Sequence, residues 1–172
     1  MRAVVVYESH WGNTRAVAEA IAEGIGPEAI ALNTDQAFGP DLEAADLIVA
    51  GAPVIAFGLA GDRGIAGVRK AAETSATPPD LSHPSLRRWL ESLPHGNGAS
   101  ASFETRVRWS PGGATGAIED GLEKAGYRTI AVRQRFVVRG QAGPLREGEL
   151  ERARAWGTEL AALVAPRETV GV

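Results

Sequence analysis

The sequence predicts an α/β fold in which helices cover both faces of a mainly parallel sheet. Two observations support it: apolar runs of strand length that are rich in β-branched residues, and amphipathic segments that alternate with them. The runs at 2–7 and 46–54 are almost continuously apolar, which is typical of strands buried on both faces. A parallel sheet has such strands because its crossover helices cover both of its faces.

The first half of the chain contains three predicted strands and one long helix. Residues 2–7 (RAVVVY) form the first strand, and a helix follows at 14–25. Apolar side chains on one side of that helix are spaced i, i+1, i+4 and i+8: Val17, Ala18, Ile21 and Ile25. A short strand is predicted near 28–32, and the run at 46–54 (DLIVAGAPV) is predicted to be a central strand.

The second half is less regular, but strands and helices still alternate. Its predicted elements are a helical piece at 63–75, a short helix at 85–93, a weak strand near 98–103, a helix ending at Gly126, a strand at 127–138 and a helix at 148–164. The element order is β-α-β-β-α-β-α-β-α with five strands. We expect a single domain at 1–165 and a frayed tail at 166–172.

Composition excludes several classes of function. The chain has no cysteine, which excludes disulfides and thiol catalysis, and its apolar runs are too short to span a membrane. The net charge of −3 argues against nucleic-acid binding, although one group of arginines is expected on a solvated edge: Arg106, Arg108, Arg133, Arg135 and Arg139. No signal peptide is recognised, so we expect a cytoplasmic protein.

A phosphate-binding loop is predicted between the first strand and the first helix. The start of a helix has unpaired N–H groups and partial positive charge, and both favour a phosphate. Ser9 and Thr14 add hydroxyls, Asn13 adds an amide, and Gly12 allows close approach of the backbone. The alternative is that Ser9 or Asn13 merely caps the helix. Four such residues within six positions favour the phosphate site.

The loop contains no lysine, and this absence narrows the class of phosphate compound that it is expected to bind. The P-loop pattern requires a lysine beside its terminal hydroxyl, and the dinucleotide fingerprint G-x-G-x-x-G is also missing. A loop that offers only hydroxyls, amides and N–H groups suits one terminal monophosphate.

The stretch SHWGNT after an apolar strand resembles the phosphate loop of flavodoxins, [ST]-x-[ST]-G-N-T. Ser9, Gly12, Asn13 and Thr14 match the pattern, and Trp11 replaces the usual third-position hydroxyl. The resemblance implies a three-layer doubly wound sandwich with a five-stranded parallel sheet in the order 2-1-3-4-5. It also implies FMN as the cofactor, with its phosphate in this loop. Trp11 is expected to pack in the core, or to shield the phosphate or ribityl chain as a lid, and His10 to point to solvent.

The resemblance also implies two loops around the flavin ring, at 51–63 and 103–114. Each contains an aromatic residue for ring contact, Phe57 and Trp109, and Gly112 and Gly113 are expected to offer N–H groups to the flavin carbonyls. Arg106 is expected to stabilise the anionic reduced flavin. The complete predicted set of cofactor-binding residues is Ser9, His10, Trp11, Gly12, Asn13, Thr14, Pro53, Val54, Ala56, Phe57, Thr105, Arg106, Trp109, Gly112 and Gly113.

These features support an FMN protein that transfers electrons or reduces a small quinone-type acceptor. A flavodoxin-fold interaction module without flavin and an NAD(P)H-using reductase remain alternatives. No catalytic or metal-binding constellation is predicted, and His83 and His95 are expected at the surface. The long segment 60–83 is expected to cover the ring edge. The partners implied are a redox protein or a small acceptor, and the sequence does not predict the oligomeric state.

Overall fold

The computed structural model describes residues 1–164, which contain seven strands and six helices. The strands are β1 (Ala3–Tyr7), β2 (Ala29–Asn33), β3 (Leu47–Ile55), β4 (Gly58–Leu59), β5 (Ala99–Val107), β6 (Arg128–Thr129) and β7 (Gln134–Val138). The helices are α1 (Asn13–Ile25), α2 (Pro40–Glu43), α3 (Asp62–Ala72), α4 (Leu86–Ser92), α5 (Thr115–Lys124) and α6 (Glu149–Val164). The predicted tail at 166–172 lies outside the described residues.

The sheet has the predicted order. Strands β2, β1, β3 and β5 pair in parallel, and both β6 and β7 pair in parallel with β5 on its far side. When β4 is left out and β6 and β7 are counted together as the fifth strand, the order is 2-1-3-4-5. This confirms the predicted α/β class and topology. The two-residue β4 runs antiparallel to the end of β3 and was not predicted.

The fifth strand differs from the prediction of one continuous strand at 127–138. Its first part pairs with Ala99 and Ser100, and its second part with 103–107. Between these stretches β5 has two residues, whereas the edge strand has the four residues 130–133. The two extra residues bulge outwards, and Val132 is 81% exposed. A pattern of apolar residues does not reveal such a mismatch, since it depends on the partner strand.

Other predicted element boundaries differ from the observed ones by a few residues. The helical piece predicted at 63–75 is α3, and the strand predicted near 98–103 continues to Val107 as β5. The predicted second ring loop at 103–114 therefore begins inside a strand. The four-residue α2 was not predicted.

The core lies on both faces of the sheet. Alternate residues of β1 face opposite sides: Val5 packs with α1 and α6, whereas Val4 and Val6 pack with α4 and α5. Both sets are buried, which explains why this strand is continuously apolar. Because the main strands are parallel, the loops that follow β1, β3, β5 and β7 meet at one edge of the sheet. Among the described helices, none is long and apolar enough to cross a membrane.

Candidate functional site

A cleft of about 240 Å³ lies at the carboxyl edge of the sheet, and we call it the edge cleft. It is bordered by the loop after β1, the end of β3, the end of β5 and the segment that begins at the end of β7. Its lining residues are Ser9, His10, Trp11, Asn13, Thr14, Pro53, Val54, Ile55, Ala56, Thr105, Arg106, Val107, Ser110, Val138 and Gln141.

The edge cleft brings together ten of the fifteen predicted cofactor-binding residues. They come from three segments that are far apart in the sequence, at 9–14, 53–56 and 105–106. Five predicted residues do not line it: Gly12, Phe57, Trp109, Gly112 and Gly113. The assignment of all fifteen to a cofactor stays a prediction.

The loop after β1 presents unpaired N–H groups at the start of α1. Within residues 1–164, no acceptor contacts the backbone N–H of Asn13, Thr14 or Arg15. Gly12 has φ 86°, a left-handed conformation that brings the chain into the helix and that favours glycine. Three unpaired N–H groups and a helix dipole fit an anion such as phosphate.

The hydroxyls of the loop are partly engaged. The Ser9 Oγ accepts a hydrogen bond from the Gly12 N–H at 3.1 Å, and its own hydrogen stays available. The Thr14 and Thr105 hydroxyls lie 2.8 Å apart, both buried and both facing the edge cleft. Only one of the two donates to the other, so one hydroxyl hydrogen is left for a ligand. The hydroxyl, amide and N–H donors of the loop are neutral, which suits a terminal monophosphate held without a counter-cation, and the chemistry of this donor set fits FMN.

His10 does not point to solvent, and that prediction was wrong. Its side chain is 2% exposed, and its Nε2 lies 2.9 Å from Oε1 of the buried Glu8. Its Nδ1 lies 2.9 Å from the carbonyl oxygen of Asp80. Both ring nitrogens therefore face acceptors, a setting that favours the doubly protonated imidazolium. Burial opposes the charged form, but the hydrogen bonds to Glu8 and to the Asp80 carbonyl outweigh it and raise the pKa of His10.

The segment 75–86, which we call the strap, lies along the loop after β1; its first part belongs to the segment 60–83, whose expected position over the ring edge stays a prediction. The Trp11 indole N–H donates to the Thr77 carbonyl at 3.0 Å. The Asp80 N–H donates to the His10 carbonyl at 2.7 Å. Trp11, which stands where flavodoxins keep a hydroxyl, thus anchors the strap.

Two further hydrogen bonds fasten the strap. His83 Nε2 donates to the Ser9 carbonyl at 2.9 Å, and the Leu86 N–H donates to Glu8 Oε2 at 2.7 Å. The His83 ring stacks on the His10 ring, with centroids 5.8 Å apart. His83 was expected at the surface, but it is half-buried behind the loop, whereas His95 is exposed.

The other end of the edge cleft is more open. Ala56 and Phe57 connect β3 to β4 with φ values of 47° and 73°, which is unusual for residues with a Cβ. Phe57 is 71% exposed and Trp109 is 78% exposed. Both predicted ring-contact aromatics are therefore accessible, although neither lines the edge cleft.

A second buried carboxylate organises this end. Glu104 accepts hydrogen bonds from the N–H groups of Ala114 and Thr115 at 2.6 and 3.1 Å. Arg106 donates to the same carboxylate at 2.9 Å, and Arg135 lies 3.4 Å from it. Glu104 therefore offsets the charge that Arg106 was predicted to offer a flavin.

The two glycines of the second ring loop pack against the first. The Gly113 N–H donates to the Phe57 carbonyl at 3.1 Å, so it is not free to reach a flavin carbonyl as predicted. Gly112 has φ 74°, and its carbonyl accepts from Arg106 at 2.9 Å.

The segment 139–145 after β7 is a part of the site that the sequence reasoning missed. Gln141 lines the edge cleft, and a Cβ on Gly143 would lie 2.5 Å from the Asn13 side-chain oxygen. A signal was present, because GQAGP directly follows a strand whose carboxyl end lies at this edge. Glu8 and Glu104 were missed too; in the sequence each directly follows a weakly or strongly apolar run, although Glu104 lies inside β5.

Comparisons with known proteins agree with this geometry. Residues 4–62 match the model of the family described as Flavodoxin domain. A search of curated proteins finds no match. Within residues 1–164, no group of three or more histidine, aspartate or glutamate side chains is arranged to hold a metal ion.

Solved structures resemble the whole described chain. A flavodoxin from the domain Archaea is 20% identical with a TM-score of 0.65, covering 95% of this chain and 99% of that one. Flavodoxin 1 from Bacillus cereus is 18% identical with a TM-score of 0.63, covering 94% and 98%. Rubredoxin oxygen:oxidoreductase from Desulfovibrio gigas is 16% identical with a TM-score of 0.63, covering 95% and 36%. At these identities the structures show a flavodoxin-like fold for the chain, and residues 4–62 within that fold match the family described as Flavodoxin domain.

Proposed function

We propose that this protein binds FMN in the edge cleft and transfers electrons to a redox partner or to a small quinone-type acceptor. One observation carries the proposal: unpaired N–H groups of Asn13, Thr14 and Arg15 at the start of α1, beside the edge cleft. The proposal includes a single domain at 1–165, a cytoplasmic location and an oxidoreductase role.

The phosphate would be held at the loop after β1, by those N–H groups and by the Thr14 hydroxyl. The ring would lie towards the segments 53–56 and 105–110, with the exposed Phe57 and Trp109 beside it. When bound, the flavin supplies the redox chemistry, and the protein groups around it set its potential. Arg106 contributes little net charge there, because Glu104 lies against it.

The first test is flavin binding. We expect purified protein to bind FMN with a micromolar or tighter Kd, measured by absorbance near 450 nm and by quenching of flavin fluorescence. Thr14→Val, which removes the hydroxyl and keeps the shape, should weaken binding about 10-fold, the effect of one hydrogen bond to a charged group. Thr129→Val, at the opposite edge of the sheet, is the matched control and should have no effect.

The outcomes separate the alternatives. Absence of flavin binding at micromolar FMN would contradict the redox proposal and would favour an interaction module. If FMN binds, NADPH oxidation by the loaded protein in the presence of a quinone distinguishes a reductase from a carrier.

A further inference from the structure

Four arginines lie close together at the carboxyl end of the β5–β7 pair. Glu104 is paired with Arg135 across the two strands, and Arg106 is two residues further along β5. The last paired positions are Val107 and Val138, so Arg108 and Arg139 each follow one residue later. Side chains two residues apart on a strand share a face, so Arg106 and Arg135 lie on the face of Glu104. We call this group of five residues the arginine face.

The arginine face carries an excess of positive charge. Its only carboxylate, Glu104, is shared by Arg106 and Arg135. Arg108 and Arg139 are exposed, and neither forms an ion pair with any residue in 1–164. Four arginines and one glutamate give a local net charge of +3, although the whole chain has a net charge of −3.

The arginine face borders the edge cleft. Arg108 and Trp109 lie between Val107 and Ser110, which both line that cleft. Arg139 lies between Val138 and Gln141, which line it too. The loop of Trp109 reaches the loop of Phe57 through the hydrogen bond from Gly113 to the Phe57 carbonyl. Two exposed aromatics therefore lie on segments that meet the same edge as the unpaired arginines.

We propose that the arginine face, with Phe57 and Trp109, docks the acidic surface of a redox partner protein. This rests on the proposed function, since docking there matters when the edge cleft holds the flavin. Exposed aromatics and arginines are the residues enriched at the centres of protein interfaces. The shared Glu104 holds Arg106 and Arg135 in place, whereas Arg108 and Arg139 are free to meet carboxylates on the partner.

Charge-reversal variants test the docking. The probes are a [2Fe–2S] ferredoxin as an acidic carrier and cytochrome c as a basic one, with binding measured by surface plasmon resonance at several salt concentrations. We expect R108E/R139E to weaken ferredoxin binding at low salt by about 10-fold or more, and salt to reduce this difference. The single variants R108E and R139E should each give part of that loss.

The matched control is R128E. Arg128 is exposed on β6 at the amino end of the same sheet region, and the variant changes the net charge as much as R108E does. Arg128 pairs with Ala99, eight strand residues before Val107, a separation of about 26 Å along β5. At 0.1 M salt this exceeds the Debye length of about 10 Å, so we expect R128E to alter ferredoxin binding by less than about twofold.

Several results would overturn this proposal. Equal effects of R108E and R128E would show that only the net charge of the protein matters. Tighter binding of cytochrome c than of ferredoxin would show that this surface prefers a basic partner. A higher KM for NADPH in R108E/R139E with unchanged ferredoxin binding would assign the arginines to a nucleotide. FMN binding is measured separately in every variant, so loss of flavin is recognised as failure of the proposed function.

Discussion

A buried glutamate lies behind each end of the edge cleft, but the cations that pair with the two glutamates differ. We call the end at the loop after β1 the phosphate end, and the end at 56–57 and 104–113 the ring end, after the proposed position of FMN. At the phosphate end, Glu8 pairs with His10, a side chain whose charge depends on pH. At the ring end, Glu104 pairs with Arg106 and Arg135, which stay charged throughout the range in which proteins fold. Both carboxylates are shielded from water and paired with a cation, but only the histidine can lose its charge near neutral pH.

The ends also differ in rigidity and exposure. The strap holds the loop after β1 through five hydrogen bonds, including those of Trp11 and His83. The ring end has strained backbone at Ala56 and exposed aromatic side chains. If FMN binds as proposed, the rigid end would lose little entropy on binding phosphate, and the exposed end would leave the ring edge accessible to a partner.

The largest effect is expected from Glu8→Ala. This change leaves the His10 cation and the Leu86 N–H buried without their acceptor. We expect the free energy of unfolding to fall by about 3–5 kcal/mol, as for other broken buried ion pairs, measured by urea denaturation. Glu8→Gln keeps an acceptor and should cost less than half as much. Equal losses in the two variants would contradict the role assigned to the pair.

The pH dependence of stability separates the two ends. The pKa of His10 is raised in the folded state, so its contribution is complete below about pH 6.5 and is lost as the pH rises through the folded value. Between pH 6.5 and 8 we expect the free energy of unfolding to fall, with a slope of at most about 1.4 kcal/mol per pH unit. Glu8, Asp80 and His83 are the titratable groups that face His10.

His10→Asn is the comparison for this profile. The variant should be less stable than the wild type at pH 6 and should lack most of the decline up to pH 8. Charge removal at the ring end by Arg106→Gln should leave the decline in place, because no histidine contacts Glu104 within the described chain. A decline that persists in His10→Asn would contradict the assignment.

The segment after β7 is tested by Gly143→Ala. The added Cβ would lie 2.5 Å from the Asn13 oxygen, so Asn13 has to move. We expect FMN affinity to fall about 10-fold, a change of roughly 1.4 kcal/mol. Gly148→Ala is the matched control, since its φ is also positive but no atom lies within 4 Å. Both variants carry the backbone penalty, and only Gly143→Ala should weaken FMN binding.

Sequence reasoning predicted the fold because the fold depends on local patterns. Continuous apolar runs predicted the core strands, and helical periodicity predicted the helices. The order of the five strands followed from the resemblance to flavodoxins. The split of the edge strand was not predictable, because it arises from a mismatch of two residues against β5. The sequence also placed Gly12 and Thr14 correctly at the start of α1, while their role in holding a phosphate stays a prediction.

The parts that were missed depend on contacts between distant segments. His10 looked like a solvent-exposed loop residue because its partners, Glu8 aside, come from the strap some 70 residues away. In the sequence Trp11 stood out only because it replaces a hydroxyl residue of the flavodoxin pattern. In the structure its indole N–H donates a hydrogen bond to the carbonyl of Thr77, 66 residues away. Glu104 lies inside a strand, and its partners are two arginines and the N–H groups at the start of α5. Only the tertiary structure brings these groups together.

The smallest expected effects come from a matched pair of glycine substitutions at the two ends. Gly12 and Ala56 both have positive φ, at 86° and 47°, but only the first of these two residues is a glycine. Ala56→Gly should raise the free energy of unfolding by about 1 kcal/mol, and Gly12→Ala should lower it by a similar amount, because a Cβ disfavours this conformation. No atom lies within 4 Å of a Cβ on Gly12, so its loss is conformational. Thermal unfolding measures both changes. If Ala56→Gly is destabilising instead, the turn at Phe57 is not strained, and the contrast between a relaxed phosphate end and a strained ring end does not hold.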